Sequence, residues 1–392
     1  MVKLHGKDFS RRDIESLSGD IRHVAGVRQM ELSDGLERGI RILEFRSGTG
    51  LRFTVLIDRA MDLGDCEHNG RAIGWNSPSG FRNPALHEYE GEGGLGWLRS
   101  FSGLMVTCGL DHTLFMNSVS AENYNYNPRQ QSNHSLHGRV GTIPARLTGY
   151  GERWEGDRCY LWAKGIINQG AVFGEHLELH RHIEIEVGTD IIRLNDEVIN
   201  RGFYKTPHMY CYHINVGHPV LEEGSRYLAP IKDVVWAAHE EEYTAQKTGY
   251  RTAPAPQMNF HEQVWQHELA SDQSGKVPVA IVNDRLNIGL QVTTRKDQFP
   301  CLYEWQNYQA GQYAFGIEPS THHVLGNQAA RDRNEMIWLN HGESKSYNTE
   351  FEILNSKQAI ANSESKIKAI AQQPTEDFPP LSNNFVQIGG RN

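Results

Sequence analysis

The residues with the most chemical potential fall in three short stretches of the 392-residue chain. The first is Thr206-Pro207-His208-Met209-Tyr210-Cys211-Tyr212-His213-Ile214-Asn215. Read as a strand, it puts His213 and Asn215 on one face and Tyr212 and Ile214 on the other. An imidazole beside a carboxamide can address one ligand together, and histidine titrates where proton transfer near neutrality is useful. The second stretch, Tyr313-Ala314-Phe315-Gly316-Ile317-Glu318-Pro319, is an apolar strand ending on a carboxylate whose backbone Pro319 stiffens. A glutamate at the lip of a sheet suits a general base, and a base acting on the anomeric hydroxyl while a histidine protonates the ring oxygen opens a cyclic hemiacetal. Each residue also has a plainer reading. His213 fits a buried histidine held by the backbone, and Glu318 fits a salt bridge to Arg331 or Arg333. In the third stretch, Leu136-His137-Gly138-Arg139, a histidine beside a glycine lets the backbone come close to a ligand, or simply makes a turn.

Further side chains suit a polyhydroxylated ligand. Glu304-Trp305-Gln306 combines an indole, which stacks on the C–H face of a sugar, with groups that bind hydroxyls. His208 precedes His213 in the same run. Arg59, in Ile57-Asp58-Arg59-Ala60-Met61-Asp62, and Arg99, in Gly96-Trp97-Leu98-Arg99, could bind sugar oxygens. Arg59 could equally pair with Asp58 or Asp62. His180 and His182 have the i, i+2 spacing of a metal pair, but they alternate with carboxylates as a solvated face does. No G-x-S-x-G, P-loop, H-E-x-x-H or dinucleotide fingerprint competes.

These groups need strands to position them. Between Leu177 and Val187 alternation is strict: Leu177, Leu179, Arg181, Ile183, Ile185 and Val187 share one face, and His180, His182 and the glutamates share the other. Further strands are expected at Arg22–Glu31, Gly39–Arg46, Leu51–Leu56, Ile191–Ile199, Val277–Val282, Ile288–Thr294, Tyr313–Ile317 and Ser346–Ile353. Ser10-Arg11-Arg12-Asp13 reads as a capping box opening a short helix that carries Ile14 and Leu17. A second short helix is expected at Ser363–Gln373, ended by Pro374. Residues 77–95 and 121–133 read as irregular loops, and the end of the chain as an extended tail. With 38 glycines and 15 prolines, the chain reads as all-β with few short helices, in one domain spanning 1–392.

Lys plus Arg number 39 against 48 Asp plus Glu, a net charge of −9 with no basic run, which points away from nucleic acid and towards a neutral small molecule. No window nears the roughly 18 apolar residues of a membrane span, and the first residues lack the apolar core of a signal peptide. The five scattered cysteines form no C-x-x-C pair, which suits a reducing cytoplasm rather than a disulfide framework.

Taken in order, Asp58-Arg59-Ala60-Met61-Asp62-Leu63-Gly64, Gly96-Trp97-Leu98-Arg99-Ser100-Phe101, Leu136-His137-Gly138-Arg139, the run from Asp196 to His213-Ile214-Asn215, and Ile317-Glu318-Pro319 resemble the aldose 1-epimerase (galactose mutarotase-like) superfamily. More narrowly they resemble its bacterial branch of a domain of unknown function, DUF4432. The likeness runs from about Arg22 to Ile353 and leaves both ends outside it. It implies a β-supersandwich, no metal or organic cofactor, and a free monosaccharide as ligand, and leaves a homodimer open. It also implies that Glu318 takes the proton from the C1 hydroxyl and His213 protonates the ring oxygen, while His137 and Arg99, or Arg59, bind the sugar. Two departures stand out. Tyr212 precedes the histidine where mutarotases place asparagine, and the family's sugar-binding aspartate has no match, so that Glu304 or Gln306 would take over its contacts. Three other readings are a sugar-binding protein without catalysis, a metal-dependent isomerase or lyase using His137, His208 or His213 with Glu318, and epimerisation at another carbon or action on a phosphorylated sugar where Arg59, Arg99 and Arg139 converge.

Overall fold

A computed structural model describes residues 1–239, 241, 245, 248–376 and 378–389. Alternating sequence becomes alternating burial: in His176–Glu186 every second residue is buried, and the strand pairs antiparallel with Arg158–Gly170 on one side and Ile191–Asn200 on the other. These belong to an eight-stranded sheet, which continues through Ser344–Leu354, Ile288–Arg295 and Lys276–Asn283 to Arg226–Leu228. A twelve-stranded sheet carries His213 and Glu318. Its centre is Gln263–Leu269, Cys301–Asn307, Ala314–Ser320, Thr206–Val216 and Met105–Leu110, in that spatial order, and the N-terminal meander Gly26–Glu31, Arg41–Arg46, Leu51–Leu56 and Asp62–His68 extends one flank. The two sheets bury a common core that includes Phe45, Phe53, Leu179, Ile183, Leu194, Ile214, Ile317 and Phe351. The architecture is the β-sandwich of the galactose mutarotase-like fold.

Arg181 is the charged residue on the apolar face of its strand, and it is fully buried. Its guanidinium donates to Asp196 at 2.7 and 2.9 Å, to Asp62 at 2.9 Å and to the Tyr210 hydroxyl at 3.1 Å. Tyr212 donates to the same Asp196 at 2.6 Å. The sheets thus meet around a fully partnered ionic centre, which is the condition for burying charge at all.

Several expected boundaries shift for identifiable reasons. The capping box forms between Ser10 and Asp13, and the helix Arg11–Leu17 buries Ile14 but leaves Leu17 exposed. The late helix starts earlier than its apolar spacing suggests, at Lys357–Ile370 behind the cap Ser356, and ends before Pro374. Within 121–133 the chain folds back, pairing Asn117–Ser120 with Gln131–His134. The strand expected to end at Ile317 runs on to Ser320, because Pro319 is accommodated in the ladder opposite Leu302. Glu318 is therefore inside the sheet and not at its lip. All five cysteines are buried and unpaired. Among the described residues no helix is long and apolar enough to cross a membrane.

Candidate functional site

Sheet register brings His213 and Glu318 together. Thr206–Val216 pairs antiparallel with Ala314–Ser320 through Ile214 with Ile317 and Asn215 with Gly316, which sets His213 directly opposite Glu318 on the same face. His213 Nε2 lies 3.2 Å from Glu318 Oε1, and both residues are only 3% exposed. Glu318 does not meet the arginines suggested by proximity in sequence: Arg331 donates to Asn327, and Arg333 pairs with Glu335. Gly316 makes the approach possible. A Cβ there would stand 2.9 Å from Trp305 Cβ and 3.2 Å from His213 Cε1.

Asn215 sets the state of the imidazole. Its Nδ2 donates to the carbonyls of Gly103 (3.1 Å) and His213 (3.2 Å), which turns Oδ1 towards His213 Nδ1 at 2.6 Å. Nδ1 must then carry the hydrogen, because two acceptors cannot share a bond. In the neutral ring this leaves Nε2 as a lone pair aimed at Glu318. Burial pushes Glu318 up to about 8, and the nearby Glu262 adds to the effect. Burial drives His213 down to about 3, against the opposing pull of the Asn215 bond. The imidazolium implied by the family resemblance is thus replaced by a neutral imidazole facing a protonated carboxyl, since desolvation penalises both charged forms.

Aromatic rings cover the pair. Phe101, Trp305 and Trp97 lie 4.6, 5.2 and 5.7 Å from the His213 ring, centroid to centroid. His137 is 5.6 Å from His213, and its buried Nδ1 has no hydrogen-bond partner. His137 takes a left-handed backbone with φ 59°. The following Gly138 approaches the carbonyls of Gly109 and His112 so closely that a Cβ would sit 2.4 and 2.5 Å from their oxygens. On the far side of the aromatic layer opens a cleft of about 660 Å³, walled by Trp75, Arg82, Arg99, Phe101, Glu262 and Trp305. Trp305 Nε1 donates to Glu262 at 2.9 Å, so Phe101 and Trp305 form both the floor of the cleft and the roof over His213.

Strand parity separates the remaining expected residues. Tyr303 pairs with Glu318 and Trp305 with Gly316, so these two share the face of the reactive pair, while Glu304 and Gln306 face the interior between the sheets. There Gln306 donates to Glu304 at 2.6 Å, and His267 Nε2 approaches Glu304 at 3.1 Å. Neither can replace the missing aspartate. His208 also points inward, held by the Leu110 carbonyl at 2.8 Å and the Tyr347 hydroxyl at 2.6 Å, which removes it from any ligand set with His213 and Glu318. Arg59 is buried and donates to the carbonyls of Gly141, Arg82 and Ser100, so its role is to brace three loops. Asp58 pairs with Arg41 instead, and Asp62 with Arg181. Arg99 lies on the cleft wall, ion-paired with Glu92. Asn215 faces His213 and not the cleft. His180 approaches Glu178 at 2.9 Å on the outer face of the other sheet.

Trp75, Trp97, Phe101, Arg82 and Glu262 escaped the sequence reading as components of the site. Trp97 and Phe101 fall within the motif Gly96-Trp97-Leu98-Arg99-Ser100-Phe101, which is a usable signal, whereas Trp75 stands apart from it in Gly74-Trp75-Asn76. Arg82 and Glu262 lie on long connections, where spacing carries no information.

Residues 37–353 match the model of a family described as a domain of unknown function, DUF4432. No functionally curated protein matches the chain. Among solved structures it is similar to a protein of Klebsiella pneumoniae subsp. pneumoniae MGH 78578 provisionally assigned as an aldose 1-epimerase, with TM-score 0.80 and 27% identity, covering 92% of this chain and 91% of that one. The Slr1438 protein of Synechocystis sp. PCC 6803 superimposes with TM-score 0.58 and 15% identity, covering 83% of this chain and 100% of its own. A galactose mutarotase-like protein of Clostridium acetobutylicum does so with TM-score 0.57 and 12% identity, over 85% and 99%. The last two likenesses speak for the fold alone.

Proposed function

The chain belongs to the DUF4432 family, and on that premise we propose that it interconverts the anomers of a free sugar by acid–base ring opening at His213 and Glu318. The observation that carries this reading is the buried contact of 3.2 Å between His213 Nε2 and Glu318 Oε1, on facing strands beside a cleft floored by aromatic rings. In the reaction the direct bond gives way to the sugar. Glu318 delivers its proton to the ring oxygen, His213 Nε2 accepts the proton of the C1 hydroxyl, the C1–O5 bond breaks, and a carbonyl forms at C1. This leaves a carboxylate and an imidazolium. Rotation about C1–C2 presents the other carbonyl face, and reclosure returns both protons to where they began. The roles of the two residues are thus exchanged relative to those the family resemblance implies, because the pair at rest keeps its proton on Glu318.

The chemistry asks little of the protein. Mutarotation already proceeds in water, and a positioned acid and base each contribute about 10²–10⁴-fold. Trp75, Phe101 and Trp305 offer apolar faces to the sugar ring. The sugar's reacting end reaches the pair by parting Phe101 from Trp305.

Two-dimensional exchange NMR on free aldoses, with and without the protein, tests the proposal. Cross-peaks between anomers should build up faster with the wild type and revert to the spontaneous rate with Glu318→Gln. Equal rates with and without wild-type protein across the panel sink it. A second reading, sugar binding without turnover, draws on the near-complete burial of the pair. It is the one left standing if wild type and Glu318→Gln bind a sugar equally and neither accelerates exchange.

A further inference from the structure

The cleft beside the reactive pair has a charge distribution that a neutral sugar does not use. Of the side chains on its walls, Arg82, Arg99 and Glu262 are charged. Arg99 brings its own counter-ion in Glu92. Glu262 is engaged by the indole N–H of Trp305. Arg82 differs from both. Among the described residues it has no carboxylate partner. Its Nη1 reaches only the Leu86 carbonyl, at 3.3 Å, and its Nε is buried with no hydrogen-bond partner.

A second guanidinium reinforces the first from behind. Arg59 is buried at the back of the Arg82 segment and donates to the Arg82 carbonyl at 3.2 Å; its other bonds also go to carbonyls, and the buried Asp62, which Arg181 shares, offsets part of its charge. His87, packed in the same region, registers this field. It is held down to about 4, first by burial and then by Arg59 and Arg82. A local positive centre on the wall of a cleft, in a chain of net charge −9, marks a place for an anion. The adjoining wall consists of Trp75, Phe101 and Trp305, which suit the C–H face of a sugar ring.

Building on the sugar reading above, we propose that the cleft selects a sugar acid: a monosaccharide whose carboxylate, remote from C1, is bound by Arg82. The guanidinium fork matches a planar carboxylate in two parallel bonds. Arg82 is the guanidinium on these walls without a carboxylate partner among the described residues, and a monoanion satisfies its fork with one charge, whereas a phosphate dianion brings a second negative charge towards Glu262. A volume of about 660 Å³ lies in the ordinary range for small-molecule sites.

Calorimetric titration at low ionic strength with D-glucose, D-glucuronate and D-glucose 6-phosphate tests this. Wild-type protein should bind glucuronate at least about tenfold more tightly than glucose, the order expected for a charge-assisted pair, and more tightly than the phosphate. Arg82→Gln should bring the glucuronate-to-glucose ratio close to one, and Arg82→Lys should restore part of it. Added salt should weaken glucuronate and spare glucose. A wild-type ratio near one, equal weakening of both sugars by Arg82→Gln, tightest binding of the phosphate, or binding of none of the three overturns the assignment. Anomer exchange measured on the same samples reports separately on the catalytic reading. A glucuronate preference that depends on Arg82, without faster exchange, would count against catalysis and leave the sugar-acid site in place.

Discussion

The proton shared by His213 and Glu318 has a consequence for stability that can be worked out before any substrate is known. Glu318 rises from 4.5 to about 8 on folding, and His213 falls from 6.5 to about 3. The folded state therefore holds the Glu318 proton more tightly than the unfolded chain, and this contribution is full below pH 4.5 and lost as pH rises towards about 8. The His213 contribution has the opposite sign: it is full above pH 6.5 and lost as pH falls towards about 3. Between 4.5 and 6.5 the two slopes cancel, since folded and unfolded forms each hold one proton on the pair. From 6.5 to 8, one and a half pH units at about 1.4 kcal/mol each give a loss of about 2 kcal/mol in the wild type. Glu318→Gln keeps an amide facing Nε2 but removes one titration. Its stability should be flat above 6.5 and should fall by about 3 kcal/mol from pH 6.5 to 4.5, where the wild type is level. Urea unfolding of both proteins at pH 4.5, 6.5 and 8 reads these slopes. Wild-type and variant curves that run parallel across this range would refute the neutral-pair reasoning.

Two further outcomes follow from named contacts. Asn215→Leu leaves His213 Nδ1–H buried without an acceptor, which should cost about 1–3 kcal/mol in unfolding free energy. The same variant frees the ring to adopt the other tautomer, visible as a changed imidazole ¹⁵N pattern in NMR, and should slow anomer exchange. Arg181→Met strands Asp196 and Asp62 in the core, so a loss of about 3–5 kcal/mol is expected by denaturant titration, whereas replacing Arg201, whose bond to Glu178 is solvent-exposed, should cost under about 1 kcal/mol.

How much of this was legible in the sequence depended on the range of the interaction. Local alternation placed Leu177 to Val187 correctly, including Arg181 on the buried face, and it set Tyr212 apart from His213. The same rule applied to Glu304-Trp305-Gln306 would have shown that the indole and its two polar neighbours cannot serve one ligand. His208, five residues before His213, falls to the same parity. Pro319 misled in another way: read as a stop, it put Glu318 at the strand end, whereas the ladder passes through it. What no local rule supplies is the register that sets residue 213 opposite residue 318, since it is fixed by pairing between strands far apart in sequence. The resemblance to mutarotases names both residues without supplying that register. Of the cleft wall, Arg99 and Trp305 stand out in the sequence, whereas Arg82 and Glu262 lie beyond both kinds of reasoning, because they sit on connections whose shape follows from packing.

The placement of His213 and Glu318 on directly paired strands has a consequence for how this protein can change. Their spacing is a property of the backbone ladder, inherited from the central sheet and protected by every residue that keeps those strands in step. Apart from Trp305, which stands on a central strand, the cleft is built largely by connections: the segment from Trp75 to Phe101 and the turns around Glu262. Substitutions, insertions or exchanges in those connections reshape the cleft without moving the His213–Glu318 pair. A library confined to the connections therefore varies the cleft around a constant His213–Glu318 contact, while a single-residue slip in either of the two strands breaks that contact whatever the cleft holds.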